Sequence, residues 1–170
     1  MKAKTQNSRF QIPDSGYTLI EILVGLTIIA FLFILGYVNF RDFSRRQAVA
    51  GAAKKIQGDI SLTQQLALSG QKPTDIRCNP PNLLNSYDFV IVTPSEYKIV
   101  ADCTGGNVEN KDVTLPSDIS ISSDSLNTIN FKVLGQGTNI VSRETVTFTL
   151  TQAQTNNTFS LSVGAGGNVQ

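Results

Sequence analysis

The chain has 170 residues, of which 41% are hydrophobic and 16% charged, and its formal net charge is +1. That balance is too apolar for a disordered chain and too neutral for a protein that coats nucleic acid, and the length suits one ordinary domain or two small ones. With no histidine and only two cysteines, the chain lacks the commonest general base, the commonest metal ligand, any Ser-His or Cys-His nucleophile pair and a cysteine-only zinc site. An enzyme is disfavoured on these grounds, and neither a cofactor nor a metal is expected.

Residues 1–16 form a polar leader carrying Lys2, Lys4 and Arg9 against Asp14. Residues 17–38 follow with one charged side chain, Glu21. As a helix they extend about 33 Å, enough to cross a bilayer core. Their Leu, Ile, Val and Phe residues sum to about −6 kcal/mol on insertion scales, against about +3 kcal/mol for a mid-bilayer acid. Glu21 lies near the end of the run, so insertion wins. The alternative is a buried core helix. A basic start before an apolar run is the pattern of a secretory signal, but Ala30 is the only alanine in the run and no A-x-A site closes it. Small residues instead precede it, at Ser15 and Gly16. Cleavage there keeps the apolar helix in the mature protein. Arg41, Arg45 and Arg46 flank the far side, so charge bias alone does not fix orientation, although long following domains translocate largely regardless of charge.

The segment Gly16-Tyr17-Thr18-Leu19-Ile20-Glu21, continued by Ile22-Leu23-Val24, resembles the class III signal of type IV pilins and type II secretion pseudopilins. The resemblance implies that a prepilin peptidase cuts between Gly16 and Tyr17 and that the new amino terminus at Tyr17 is N-methylated. It places Glu21 fifth in the mature chain, where the family has its glutamate. Tyr17 stands where Phe or Met is usual, and Val38 where many members have proline. An intramembrane carboxylate needs a partner. The cationic amine of a neighbouring subunit supplies one, and their pairing would fix axial register during assembly. A tolerated interfacial acid is the alternative.

Beyond residue 39 polar character begins, but helix signals persist to residue 69. Val49, Ala52, Ala53, Ile56 and Ile60 recur at three- and four-residue spacing, extended by Thr63 and Ala67. Arg41, Arg45, Arg46, Lys54, Lys55 and Asp59 are placed mostly off that stripe. Gly70 and Pro73 supply the stop. One helix is therefore expected over 17–69, with residues 39–70 as its amphipathic continuation. Its basic cluster is suited to anionic headgroups or to plain solvation.

Cys78 and Cys103 are the only cysteines. In an exported domain an even pair suggests a disulfide, closing a loop of about 25 residues. Two reduced thiols are the alternative. From residue 85 the periodicity changes to two. Strands are expected at 87–93, 96–103, 118–122, 128–134, 145–151 and 158–163, with turns at Pro94-Ser95 and Asn156-Asn157. Val146, Phe148 and Leu150 alternate cleanly with Thr, as do Phe159, Leu161 and Val163 with Ser. An antiparallel sheet or small sandwich over 71–170, packed on the amphipathic half of the helix, makes the fold class α+β.

The order of features in this second half is similar to that of GspH/FimT-like minor pseudopilins, through Leu115-Pro116, the strand with Phe131 leading to Gly135, and the closing strand before a glycine-rich tail. Gly135-Gln136-Gly137 and Gly164-Ala165-Gly166-Gly167 lack the phosphate-loop Lys-Ser/Thr signature and read as turns. Asn156-Asn157-Thr158 matches a glycosylation acceptor, a triplet common by chance. DNA binding is disfavoured. Without Lys2, Lys4, Arg9 and Asp14 the chain has 11 basic and 12 acidic residues, and no Lys or Arg follows Arg143. Any weak grip would fall to Lys98, Lys111 and Lys132, since phosphate contacts dominate such affinity. The expectation is thus a structural subunit of a type IV pilus or type II secretion pseudopilus. Its expected partners are other subunits, the prepilin peptidase, an assembly platform and inner-membrane lipid. The alternatives are a signal-anchored exported binding domain that does not polymerise, or a DNA-uptake minor pilin.

Overall fold

The computed structural model describes residues 16–170, with the side chains of residues 35–39 outside the description. The leader expected at 1–16 lies outside it except for Gly16. The chain divides into two compact units, Met1–Phe40 and Arg41–Gln170. A single helix, α1 (Leu19–Ser69), contributes to both. It starts where Thr18 caps it. The Glu21 N–H lies 3.3 Å from Thr18 Oγ1, and the Ile22 N–H donates to the Thr18 carbonyl at 3.2 Å. It ends at Gly70, which takes φ +60 and donates its N–H to the Ala67 carbonyl. A left-handed residue after the last turn is the usual glycine stop.

In the second unit the predicted stripe is the buried one. Val49, Ala52, Ala53, Ile56, Ile60, Thr63 and Ala67 are all buried. Seven strands follow: β1 (Leu84–Thr93), β2 (Glu96–Cys103), β3 (Val108–Thr114), β4 (Ile119–Ser123), β5 (Thr128–Lys132), β6 (Thr145–Gln152) and β7 (Thr158–Gly164). They form two antiparallel sheets, one in the order β3-β2-β1-β5 and one in the order β4-β6-β7. The chain leaves the first sheet for β4, returns for β5 and leaves again for β6. The fold is the expected α+β class, a long helix packed on antiparallel sheets.

One continuous core joins helix and sheets. Phe89 of β1 is its hinge, with ring centroids 5.1 Å from Tyr97 of β2 and 5.6 Å from Phe148 of β6. Each of these rings is essentially solvent-free, and full burial of such a side chain contributes about 1.5–3 kcal/mol. Main-chain bonds tie the β1–β2 hairpin turn to the end of β3 and to β4 of the other sheet. Ser95 O accepts from Leu115 N at 2.8 Å, and Pro94 O accepts from Ile121 N at 2.7 Å. The hairpin turn is the two-residue Pro94-Ser95 loop read from sequence.

Three details depart from the sequence reading. β3 was not among the expected strands. The strand expected to run to residue 134 stops at Lys132, because Leu134 adopts φ 57 in a 3-10 turn, Val133–Gly135. Asp59, placed off the apolar stripe, is buried at 6% exposure. It lies three residues after Ile56 and four before Thr63, on the stripe itself, where a partner makes its charge tolerable.

Candidate functional site

The amino-terminal motif has simple local geometry. Gly16, Tyr17 and Thr18 precede the helix, and Glu21 stands in its first turn. A carboxylate there is favoured by the helix dipole. Thr18 and Glu21 also have the spacing of a capping box, a Thr-x-x-Glu signal that reading the segment only as a processing motif overlooked. Tyr17 is 78% exposed, and the apolar residues after it are mostly half to four-fifths exposed. Among the described residues no basic side chain pairs with Glu21. Among them, too, no helical segment is long and apolar enough to cross a membrane. The apolar run read as a span continues to residue 38, and its last four side chains are outside the description.

In the second unit the cysteines are joined. Cys78 and Cys103 form a disulfide with Cα atoms 5.3 Å apart, both buried. The bond ties the segment after α1 to the end of β2. Around it, Arg77 donates to both oxygens of Asp75, at 3.0 and 2.9 Å, and to the Asn107 carbonyl. The guanidinium holds the Asp75 carboxyl down at about 2. Lys72 Nζ donates to the Asn82 carbonyl at 3.0 Å, and Tyr87 O–H to the Gln71 carbonyl at 2.7 Å. The segment following the helix is therefore fastened at several points.

Several charges of the second unit pair with one another. Lys111 Nζ lies 2.6 Å from Asp59 Oδ1, and Tyr97 O–H donates to Asp59 Oδ2 at 2.8 Å. Lys98 sits among Glu96, Glu109 and Asp112 at 3.5, 3.1 and 3.4 Å, and Glu109, then Asp112, push its ammonium up to about 12. Two of the three lysines considered for DNA are thus engaged with carboxylates, and only Lys132 is left exposed. Among the described residues no cluster of ligands could hold a metal.

The glycine-rich tail packs as structure. Gly167 takes φ +83, and a Cβ there would fall 2.8 Å from the Phe131 ring and 2.9 Å from Gln64 Nε2. Gln64 Nε2 also donates to the Gly166 carbonyl at 3.2 Å, so the tail closes on the end of α1. The exposed Asn156 takes φ 52 at the β6–β7 turn.

Comparison with known proteins agrees with the motif. Residues 13–37 match the model of the prokaryotic N-terminal methylation motif. The chain is similar to competence protein ComGD of Bacillus subtilis (strain 168), with 35% identity over 63 residues. That match covers 37% of this chain and 44% of ComGD, so less than half of the relative's length is spanned. No solved structure matches.

Proposed function

We propose that this chain is a structural subunit, a minor pilin or pseudopilin, of a type IV pilus or type II secretion pseudopilus. The observation that carries the reading is a coincidence in one segment. The methylation motif spans 13–37, the helix begins at Leu19 just past Gly16-Tyr17, and Glu21 falls in its first turn. A disulfide-fastened α+β head follows on the same chain.

On this reading a prepilin peptidase removes residues 1–16 and Tyr17 becomes the N-methylated terminus. Residues 17–38 anchor the protein in the cytoplasmic membrane, with the head exported, and then enter the filament core. Its partners are other subunits, the peptidase, the assembly platform and membrane lipid. The GspH/FimT-like minor type is the finer assignment we favour, from the order of strands and the glycine-rich tail. The similarity to ComGD gives a role in competence machinery some support. The internal pairing of Lys98 and Lys111 argues that such a role does not run through a basic DNA grip on the head.

Amino-terminal mass spectrometry of the mature protein tests the proposal. The expected product begins at N-methylated Tyr17 and disappears in cells lacking the prepilin peptidase. A product retaining residues 1–16, or lacking the apolar helix, overturns it. A non-polymerising anchored domain would show unprocessed chains that never enter filaments.

A further inference from the structure

The second unit carries opposite charge on its two sides. In the sheet β3-β2-β1-β5 the inward side chains pack toward α1, as Tyr97 and Lys111 do at Asp59. Alternate residues therefore turn to the outer face. Register sets Asp112 beside Lys98 and Glu109 beside Val100 on that face, with Glu96 and Asp102 on the same side of β2. Lys98 is the one base among these four acids, and it already holds Glu96, Glu109 and Asp112. Asp88 is buried on the same face, and Lys132 stands across the sheet on β5. Acids are thus in excess, and the side chains of Glu109 and Asp112 are 62% and 52% exposed.

α1 presents the reverse. Lys54 and Lys55 are exposed on the face opposite its buried stripe, and among the described residues they make no hydrogen bond or ion pair. From residue 41 to 69 the helix has two acids, Asp42 and Asp59. Asp42 lies near Arg45, and Asp59 is held inward by Lys111. Gly51 and Gly58 bracket the two lysines, and a Cβ on either would meet nothing within 4 Å. Each glycine costs the helix about 1 kcal/mol relative to alanine. Together they keep the surface between the lysines low, open to close approach by another surface.

The two faces stand back to back and at similar height along α1. Lys111 reaches Asp59 inward, while its neighbour Asp112 turns outward beside Lys98. Lys55 precedes Asp59 by four residues, about 6 Å along the helix axis.

We infer that these faces are the two sides of one contact between copies of this chain: the acidic outer face of the sheet in one copy docks on the Lys54–Lys55 face of α1 in the next. The inference rests on the subunit reading above and deepens it by naming the surfaces. A basic partner of another kind would satisfy the acidic face alone, whereas a second copy satisfies both faces at once. Displacing one head sideways by its own thickness, with about one helical turn of offset, brings Glu109 and Asp112 to Lys54 and Lys55. No reversal is needed, so α1 runs the same way in both copies and both stay anchored in one membrane. The half-buried Val90 and Val100 are covered at the centre, with charges around them. Because the faces differ and lie on opposite sides, the contact is heterologous and heads add in series.

The test uses the full chain in its membrane, with the photo-cross-linker benzoylphenylalanine in place of Val100. The expected product joins position 100 of one chain to residues 51–58 of another, identified between isotopically light and heavy copies. Lys54→Glu with Lys55→Glu alters side chains that touch nothing in their own chain, and is expected to lower the yield about tenfold. Raised salt is expected to lower it as well. Adding Lys98→Glu, Glu109→Lys and Asp112→Lys keeps the ion pairs of the sheet with their signs exchanged, and is expected to restore the product. If that chain fails to fold, the probe chain is mixed with chains carrying native or reversed lysines, and capture of the native ones alone is expected. Cross-links between two positions 100, capture of another protein or of lipid, or a yield indifferent to lysine reversal and salt would overturn the contact. Amino-terminal mass spectrometry of the same sample separates the two readings. A mature terminus at Tyr17 without the 100-to-51–58 product overturns the contact alone, and any other terminus overturns the subunit reading.

Discussion

Asp59 on α1 and Lys111 on β3 meet at 2.6 Å across 52 residues of sequence, and the carboxylate's other oxygen takes the Tyr97 hydroxyl at 2.8 Å. This contact is a latch between helix and sheet. The apolar stripe of α1 would tolerate sliding by a turn, since alanines and isoleucines repeat along it, but the latch has one register. Burial, then the adjacent carboxylate, pushes the Tyr97 hydroxyl far above its usual value, so it remains a donor across the physiological range.

Removing one side of the latch should cost more than the latch contributes. Asp59→Ala leaves a buried tyrosine hydroxyl and a partly buried ammonium without an acceptor. The expected loss is about 2–3 kcal/mol, at the lower end for a broken buried pair because Lys111 is 37% exposed and can rehydrate. Tyr97→Phe should cost about 1 kcal/mol. Urea unfolding of the protein in detergent measures both. The double variant should fall short of additivity, because the two residues share one contact.

The disulfide closes a 25-residue separation between the segment after α1 and the end of β2. In the chain-entropy model a loop of that size stabilises by about 3–4 kcal/mol. Cys78→Ser with Cys103→Ser should lower the urea midpoint correspondingly, and reductant should move the unmodified protein the same way. An unchanged midpoint under reduction would show that the hydrogen bonds of Lys72, Arg77 and Tyr87 hold the segment alone.

Asp88 gives a pH dependence whose sign can be worked out. It is buried on β1, and desolvation raises its carboxyl above the ordinary 3.8. The Ser86 hydroxyl, donating at 2.7 Å, opposes that rise, as does Asn130, while the nearby Asp102 charge adds to it. A folded-state pKa above the unfolded one means that ionisation disfavours the folded chain. The penalty is absent below about pH 3.8, grows as pH rises through that value, and is complete above the raised one. Asp88→Asn should therefore stabilise relative to the unmodified protein more at pH 7 than at pH 3. Paired unfolding curves at those two pH values check it, and a larger gain at pH 3 would reverse the assignment.

Much of the architecture was legible because burial imposes a period. Val49 through Ala67 announced a helix face, and Val146, Phe148 and Leu150 announced a strand. β3 was not legible. Its sequence, Val108 to Thr114, carries two valines five residues apart, an odd spacing that places them on opposite faces of a regular strand. Both are buried because pairing with β2 shifts register between Ile99 and Val100. A bulge of this kind leaves no mark on the hydrophobic pattern. The sequence left one sheet and a small sandwich open, and the strand order was hidden, since it depends on β5 returning beside β1. At the amino terminus the position was reversed. The motif at Gly16, Tyr17 and Glu21 is plain in sequence, because it lies in one continuous segment, within residues 13–37, and needs no tertiary contact to be recognised.

Glu21 has two possible jobs, and Thr18 separates them. As a first-turn acid it favours the helix dipole by about 0.3–1 kcal/mol. As an embedded carboxylate it would attract the terminal amine of a neighbour. The cap itself uses the main-chain N–H of residue 21, received by Thr18 Oγ1 at 3.3 Å, and any side chain at that position keeps it. Glu21→Ala should therefore still form the helix, insert and be cleaved at Gly16, while entering filaments poorly. Thr18→Ala removes the cap instead, costs about 1 kcal/mol of local helix stability, and should leave assembly largely intact. Comparing membrane-extracted with filament-incorporated protein for the two variants distinguishes them. Equal incorporation of the Glu21→Ala chain would reduce the glutamate to a helix-terminal charge, and a matching defect in Thr18→Ala would mean that the helix start, not the carboxylate, is what assembly needs.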